Sequence, residues 1–426
     1  MMSGSSRAMV RCRPWAWSGP PIPLWRITVS ADPCGPAFRP VYPPCAVRYW
    51  RVTTGMGHLR GTNDSRKMPA MPSAFSPEQS PRQILVTGGA GFIGSNVVKV
   101  IRCRYPAAKV RVLHLPKENM LNLQDVDGLE LVSGDLLNPL DVSRAVQGCD
   151  VVFHLAAIYA LWLPDMSLMD RVNVDGSRLV LEECVKQGVK RVVYTSSFAV
   201  FAGQGLDTAC TERSSFALSE SHYSRTKYES HRLAECYARK GLDVVIVCPA
   251  CPVGPGDVGP TPTGKIITEM FKTPVALALR TEANYIDVRD CAMGHVLALE
   301  KGRTGESYIL GGENYTHEDI VRRCMRLTGL KRRLFVLPPD ALKPVAVLAT
   351  LLANITKKAP FTTPVEIEVT KKGLIGDASK ARRELGLTVR PIEETLRDSI
   401  AWFVQHGYIT DGAVAAQMGG VAIPAI

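Results

Sequence analysis

Short apolar segments alternate with segments of helical periodicity between residues 84 and 248. The apolar segments predict six strands, at 84–87, 110–115, 129–133, 150–155, 190–196 and 243–248. Each is largely apolar, as expected for a strand that is covered on both faces. The periodic segments between them predict helices, among them 93–104, 139–147, 169–187 and 225–240. This order predicts an α/β fold with a doubly wound parallel sheet.

The alternation loosens after residue 250. A stretch rich in glycine and proline, 252–264, precedes short strands mixed with helices predicted at 316–328, 340–356 and 392–405. Ligands of doubly wound sheets bind at the carboxyl ends of the strands, so we expect these segments to cover that edge. The sequence thus predicts a sheet domain over 81–250, a smaller mixed α/β substrate-binding region over 251–408 that is partly interleaved with it, and a tail over 409–426.

Three glycines stand where the first predicted strand meets the first helix. Gly88, Gly91 and Gly94 follow a Gly-x-x-Gly-x-x-Gly spacing that includes Phe92 and Ile93. Glycines there permit a tight turn, allow backbone amides to approach a pyrophosphate, and let the helix pack close to the strand. A chance triplet is the alternative in a chain with 35 glycines, but the strand before and the helix after favour a nucleotide turn. We therefore predict that these five residues bind a dinucleotide on a Rossmann-like domain.

The N-terminal segment differs in composition from the rest. Residues 1–70 hold ten Lys/Arg against two Asp/Glu and ten prolines, and they contribute +8 of the formal charge of +11. The basic pI is therefore no argument for a nucleic-acid partner. A targeting peptide, a basic binding arm and sequence upstream of the true start are the alternatives. We favour a disordered or artefactual leader over residues 1–80, with initiation at Met56, Met68 or Met71.

Neither a metal site nor a membrane span is predicted. The twelve cysteines are scattered and read as free thiols of a cytoplasmic protein. Cys248 and Cys251 form a Cys-x-x-Cys without a second ligand pair, so small residues at a strand end are the better interpretation. No run reaches the ~20 apolar residues of a membrane span. The segment 345–355 suits a buried or surface helix, with peripheral membrane contact as the minor alternative.

A tyrosine and a lysine share one face of a predicted helix. Tyr223 and Lys227 are four residues apart, and a fixed cation beside a phenol favours its ionised form. Ser197 follows a predicted strand, at the edge where a doubly wound sheet binds ligands. Each feature alone is typical of a surface helix or a turn. Together with the glycine turn they predict Ser197, Tyr223 and Lys227 as the catalytic residues of an acid–base site.

These motifs resemble the short-chain dehydrogenase/reductase superfamily, in its extended branch of NAD-dependent epimerases, dehydratases and reductases. The resemblance covers residues 82 to about 408 and rests on the segments 87–94, 134–136, 154–157, 173–176 and 249–255 with Ser197, Tyr223 and Lys227. It implies that Asp135 and Leu136 meet the adenine, and that Ala156 and Ala157 line the path to the nicotinamide. Pro249 and Val253 join the implied cofactor contacts, and Asn173 supports the core hydrogen bonds. Lys227 would hold the nicotinamide ribose and lower the pKa of Tyr223, which passes the proton while Ser197 orients the oxygen.

The segments 159–165, 260–267, 308–314 and 377–386 look like a subgroup labelled hopanoid-associated sugar epimerases, itself similar to dihydroflavonol 4-reductases. Dehydratases of the extended branch carry an Asp-Glu pair after the strand-end hydroxyl, but Phe198 and Ala199 stand here. The resemblance therefore leaves epimerisation or carbonyl reduction.

The cofactor is predicted from the end of the second strand. An acidic residue there would bind the 2′-hydroxyl of NAD, but His114 stands at this position, with Lys117 nearby. NADP is thus favoured over NAD, although Glu118 is close.

We predict an NAD(P)-dependent oxidoreductase or epimerase of a nucleotide sugar or similar small molecule. A dihydroflavonol 4-reductase-like or 3β-hydroxysteroid dehydrogenase-like enzyme of a hydrophobic ketone or alcohol is the alternative, and a non-catalytic NAD(P) sensor is a remote one. The resemblance also implies a homodimer.

Overall fold

The computed structural model of the chain describes residues 80–424, which belong to one compact unit. The leader predicted for residues 1–80 therefore lies outside the described residues, apart from Ser80.

Strands are found from Gln83 to Leu337. In chain order they are β1 (Gln83–Thr87), β2 (Lys109–His114), β3 (Leu129–Ser133), β4 (Val151–His154), β5 (Arg191–Thr195), β6 (Val244–Pro249), β7 (Cys251–Val253), β8 (Ala276–Leu279), β9 (Glu282–Asp287), β10 (Ser307–Leu310), β11 (Glu313–Thr316) and β12 (Leu334–Leu337).

Seven of these strands form one parallel sheet in the order β10-β6-β5-β4-β1-β2-β3. The six strands predicted from the apolar segments are all present, so the predicted doubly wound sheet is confirmed. At its centre Ile84 of β1 lies opposite Val110 of β2 and Val151 of β4. The seventh strand, β10, pairs with β6 and comes from beyond residue 250. The later part of the chain therefore completes the sheet itself.

Helices cover the sheet on both faces and extend to the end of the described chain. They are α1 (Phe92–Arg104), α2 (Pro139–Val146), α3 (Ser167–Asp170), α4 (Ser177–Lys186), α5 (His222–Arg239), α6 (Pro262–Glu269), α7 (Val288–Lys301), α8 (His317–Leu327), α9 (Lys343–Thr356), α10 (Pro364–Lys372), α11 (Ser379–Leu385), α12 (Ile392–Gln405) and α13 (Gly412–Met418).

The alternation of side chains along the strands divides the core into two layers. Ile84 and Val86 point to the layer under α1 and α7, whereas Leu85 points to the layer under α2, α4 and α5. This is the period of two expected for a strand with both faces buried. Packing on both faces fixes the position of the strands, and therefore of the residues at their carboxyl ends.

The predicted helix 169–187 is divided in the structure. A π-helical segment, Arg171–Gly176, lies between α3 and α4. Its Asn173 is buried and points toward the loop after β4, so the wider turn serves a contact rather than continuing a regular helix.

A third apolar cluster lies beyond the main sheet. It is built from β7, β9, α6, α8 and α12 around Phe403, with two small sheets in the orders β11-β9-β7 and β12-β8. The segment predicted as a tail contains α13, whose Val414 and Met418 are buried in this cluster.

Candidate active site

The glycine turn between β1 and α1 leaves no room for side chains. Gly88 has φ of +69°, and a Cβ there would lie 2.8 Å from Ala156 Cα. A Cβ on Gly94 would lie 2.1 Å from the carbonyl oxygen of Gly88. The Gly91 amide donates to that same oxygen at 3.1 Å. Backbone therefore forms the surface of the turn, as a pyrophosphate requires.

Helix α1 adds favourable electrostatics to this turn. Its first turn carries no acidic residue, and no side chain caps its N-terminus at Gly91. The positive end of the helix dipole is thus available to an anion. The residues present fit the dinucleotide that the sequence predicts.

A cleft of about 650 Å³ opens at the carboxyl edge of the sheet, beside the glycine turn. It brings together every predicted catalytic residue and every predicted cofactor residue except one. The predicted residues that line it are Gly88, Gly91, Phe92, Ile93, Gly94, His114, Asp135, Leu136, Ala156, Ala157, Ser197, Tyr223, Lys227 and Pro249.

Val253 is the exception. It lies in β7, is 3% exposed, and packs in the third apolar cluster rather than lining the cleft. Cys251 and Pro252 of the same strand line the cleft, whereas the side chain of Val253 packs into the apolar cluster.

Lys227 occupies a buried position one turn into α5. It is 4% exposed, and its Nζ donates to the carbonyl oxygen of Thr195 at 2.8 Å. Burial lowers the pKa of Lys227 to about 8. The ammonium is held by backbone at the end of β5, facing the cleft.

The pKa of Tyr223 is raised, whereas the resemblance implies a pKa lowered by Lys227. Burial raises the pKa of Tyr223 to about 12, against the lowering effect of a hydrogen bond with Ser197. Burial is the largest influence on the phenol, and the Nζ of Lys227 is bonded to Thr195 O. The phenol is therefore neutral at physiological pH.

Two residues around Tyr223 position the loop after β4. The ring of Tyr159 packs against that of Tyr223 with centroids 4.7 Å apart. The Asn173 side chain accepts from Ile158 N at 2.7 Å and donates to Ile158 O and to Thr226 Oγ1. Asn173 thus ties the loop to α5. The sequence singled out Tyr159 only as part of a family segment.

A buried hydrogen-bond network lies beneath the cleft. Ser177 Oγ donates to Asn173 O at 2.7 Å, so His154 Nε2 donates to Ser177 Oγ at 3.0 Å. His154 Nδ1 then accepts from Thr87 Oγ1 at 2.8 Å. Burial lowers the pKa of His154 to about 3, which keeps the ring neutral in this arrangement. The network connects β1, β4 and α4 below the predicted cofactor.

The far end of the cleft carries the residues expected to select the cofactor. His114 ends β2 and lines the cleft, and its Nδ1 donates to Leu115 O at 2.9 Å. Glu118 also lines the cleft, with its carboxylate accepting from Leu115 N at 2.9 Å. Lys117 is exposed and does not line the cleft.

The end of the cleft nearest Tyr223 is apolar. The residues that shape it include Leu161, Leu168, Val172, Leu218, Val369 and Leu374. No arginine lines the cleft within residues 80–424, and Lys227 is the one lysine that does. Val369 belongs to α10, a helix that the sequence patterns had not predicted.

The cysteines between residues 80 and 424 show no arrangement of metal ligands. Burial raises the pKa of the Cys251 thiol to about 12, and that of Cys248 is raised further, so both remain protonated. Residues 80–424 contain no cluster of three His, Cys, Asp or Glu side chains suited to a metal. Nor does this part of the chain include a helix long and apolar enough to cross a membrane.

Comparisons with known proteins show the family of the chain. A family model described as the NAD dependent epimerase/dehydratase family matches residues 84–311. The chain is 35% identical over 331 residues to a Synechocystis protein named "Putative dihydroflavonol 4-reductase", covering 76% of this chain and 95% of that protein. It is 32% identical to sterol demethylase protein B of Methylococcus capsulatus, covering 76% of this chain and 99% of that protein. The solved structure of gox2253 is similar with a TM-score of 0.67 and 36% identity, covering 77% and 99% of the two chains.

The fold and the glycine turn define an enzyme of the extended short-chain dehydrogenase/reductase class. The chain belongs to the NAD dependent epimerase/dehydratase family, and the resemblance inferred from its motifs is confirmed. It is an NAD(P)-dependent enzyme of that family.

Proposed function

We propose that the enzyme interconverts a ketone and an alcohol on a hydrophobic small molecule, with Tyr223 as the proton carrier. The observation that carries the proposal is the apolar end of the cleft beside Tyr223. Apolar surface of this kind binds a carbon skeleton by removing it from water. The proposed substrate is therefore a hydrophobic ketone or alcohol rather than a nucleotide sugar.

Within residues 80–424 the cleft is lined by no arginine and by no lysine other than Lys227, which supports this choice. A nucleotide sugar carries a diphosphate, which proteins commonly bind with arginine or lysine. Lys227 lies at the end of β5, where its Nζ is already bonded to Thr195 O. No arginine between residues 80 and 424 lines the cleft to meet a second diphosphate.

Tyr223, Ser197 and Lys227 would divide the chemistry of reduction. Tyr223 Oη donates its proton to the carbonyl oxygen of the substrate, because its raised pKa keeps the phenol protonated. Ser197 Oγ donates a hydrogen bond to the same oxygen and holds it in place. The ammonium of Lys227 stabilises the negative charge left on Tyr223. A nicotinamide dinucleotide bound in the cleft supplies the hydride.

NADP is the proposed cofactor. His114 stands at the end of β2 without an acidic residue at that position, and the carboxylate of Glu118 is engaged by Leu115 N. A 2′-phosphate would therefore meet an imidazole rather than a free carboxylate.

A substrate screen tests the proposed reaction. The purified enzyme is mixed with NADPH or NADH and with a flavonoid-like ketone, a sterol-like ketone or a UDP-sugar, and absorbance of the reduced cofactor is followed. We expect stoichiometric oxidation of the cofactor with one of the hydrophobic ketones. Turnover of a UDP-sugar without net oxidation would instead identify an epimerase and overturn the proposal.

A further inference from the structure

Helix α9 carries its large apolar side chains on the outside. Val345, Val347, Leu348, Leu351, Leu352 and Ile355 are all about half exposed or more, and Ile355 is 79% exposed. The buried positions of the same helix hold small residues, with Ala346 and Ala353 almost fully covered. This is the reverse of an ordinary surface helix, which buries its large apolar residues.

The exposed apolar residues form one continuous face. At 100° per residue they occupy an arc of roughly 160° along the helix. Phe361, just after the helix, is 73% exposed and extends the patch. An apolar patch of this kind on a folded protein marks a surface that contacts another apolar phase. We call it the α9 face.

Positive charge borders the α9 face. Lys357 and Lys358 directly follow the helix, are exposed, and form no ion pair with another residue in the described range. No acidic residue occurs between Asp340 and Glu366 in the sequence. Apolar side chains beside unpaired lysines are the pattern of a helix that lies in the interface of an anionic bilayer.

Acidic residues near the start of α9 are neutralised. Asp340 is bridged by Lys343 at 2.8 Å and by Lys371 at 3.1 Å, and Glu368 is bridged by Lys343 at 2.8 Å. The face therefore has a neutral border at one end and a positive border at the other. Neither end repels an anionic surface.

The α9 face lies next to the cleft. Trp162 Nε1 donates to Asn354 Oδ1 of α9 at 3.2 Å, and the loop that bears Trp162 also supplies Leu161 to the cleft. Helix α10 packs against α9 and supplies Val369. If the protein binds lipid through α9, these elements that line the cleft lie close to the bilayer.

We propose that the α9 face docks the enzyme peripherally on an anionic membrane. The apolar residues enter the acyl boundary, while Lys357 and Lys358 meet the anionic headgroups. The proposal stands apart from the proposed reaction, because vesicle binding is measured without turnover.

Vesicle sedimentation of the full chain tests the proposal. Vesicles of phosphatidylcholine and of a 3:1 mixture of phosphatidylcholine with phosphatidylglycerol are compared at low ionic strength. We expect the wild-type protein to bind the anionic vesicles at least tenfold more tightly than the neutral ones. L348E/L352E should lose this binding by tenfold or more, and K357E/K358E should lose the preference for anionic lipid.

A matched control places the same charges elsewhere. Leu131 and Val185 are 52% and 53% exposed, away from α9, so L131E/V185E should bind like wild type. Circular dichroism and thermal melting confirm that each variant is folded. Wild-type protein that stays in the supernatant would overturn the proposal. So would L348E/L352E that binds like wild type, since the basic residues 1–70 would then carry the binding.

Size-exclusion chromatography distinguishes a second copy of the chain as the occupant. A wild-type dimer that L348E/L352E converts to monomer, together with no vesicle binding, would assign the α9 face to self-association and overturn membrane docking.

Discussion

Lys227 is a buried lysine, and its surroundings disfavour the charged form. Its Nζ has a backbone carbonyl as partner and no carboxylate among the atoms bonded to it in the described structure, so burial lowers its pKa to about 8. Burial raises the pKa of Tyr223, one helical turn earlier, and so keeps its phenol neutral. In the proposed reduction the phenol would give up its proton, and the nearby ammonium would then stabilise the phenolate. The pair thus acquires its charge complementarity only as the reaction proceeds.

The lowered pKa of Lys227 predicts the pH dependence of turnover. The lysine loses its charge as pH rises through about 8, so kcat for ketone reduction should fall above that pH. Lys227→Met should lower kcat by roughly 10²-fold or more and remove this descending limb. Steady-state pH profiles of both proteins check it. An unchanged limb in Lys227→Met would assign the limb to another group.

We expect His114 to contribute to the selection between NADPH and NADH. His114→Asp places an acid at the end of β2, where it can bind the 2′-hydroxyl of NAD and repel a 2′-phosphate. We expect the ratio of the dissociation constants of NADPH and NADH to move toward NADH by at least tenfold. Fluorescence-quenching titration measures both constants, and His406→Asp, in the part of the chain beyond the cleft, is the control. An unchanged ratio would remove His114 from the specificity site.

At the scale of the elements, the sequence predicted the strands of the sheet and the turn that opens α1. Buried strands such as β1 are apolar throughout, which makes them visible without tertiary information. Helix α10 was missed because Val365, Ile367 and Val369 alternate as in a strand. A capping signal was present, since Thr363 accepts from Glu366 N at 3.1 Å with Pro364 at the first helical position.

The missed helix also explains why the apolar end of the cleft could not be predicted. Val369 and Leu374 reach it from a segment about 150 residues after Tyr223, through packing that no local pattern encodes. The predicted catalytic residues were easier to find from the sequence, because Tyr223 and Lys227 share one helix and Ser197 lies two residues after the end of β5. The π-helical segment at Asn173 likewise depends on a distant contact, the backbone of Ile158.

The glycine turn makes a prediction at this scale. Gly94→Ala should weaken dinucleotide binding by more than tenfold, because the new Cβ would lie 2.1 Å from Gly88 O and force the turn to move. Gly412→Ala, whose Cβ would meet open space at the start of α13, is the matched control. Fluorescence titration with NADPH measures the effect. Gly94→Ala that binds within twofold of wild type would show that the turn is not fitted closely to the ligand.

At the scale of the whole molecule, buried neutral histidines couple folding to pH. Burial lowers the pKa of His154 to about 3 and that of His295 to about 4, from an ordinary value of 6.5. Below pH 6.5 the unfolded chain takes up protons that the folded chain refuses. The contribution of these two histidines to the free energy of unfolding is therefore fully present above pH 6.5, and it falls as pH decreases from 6.5 toward 4.

The acid dependence can be measured by urea unfolding between pH 7.5 and 5. Each of the two histidines should remove about 1.4 kcal/mol of unfolding free energy per pH unit over the lower part of that range. His295→Gln should show a shallower dependence on pH than wild type, whatever its stability at pH 7.5. A stability that does not change between pH 7.5 and 5 would contradict the neutral, buried state of these rings.

In the proposed reaction, Tyr223 carries the proton in the reduction of a hydrophobic ketone. The most direct test measures NADPH oxidation with the ketone found in the screen, for wild type and Tyr223→Phe, beside NADPH binding by fluorescence quenching. Removing only the hydroxyl should lower kcat by 10²-fold or more while the dissociation constant of NADPH stays within about threefold. Tyr223→Phe that turns over within a few-fold of wild type, with binding intact, would contradict the claim.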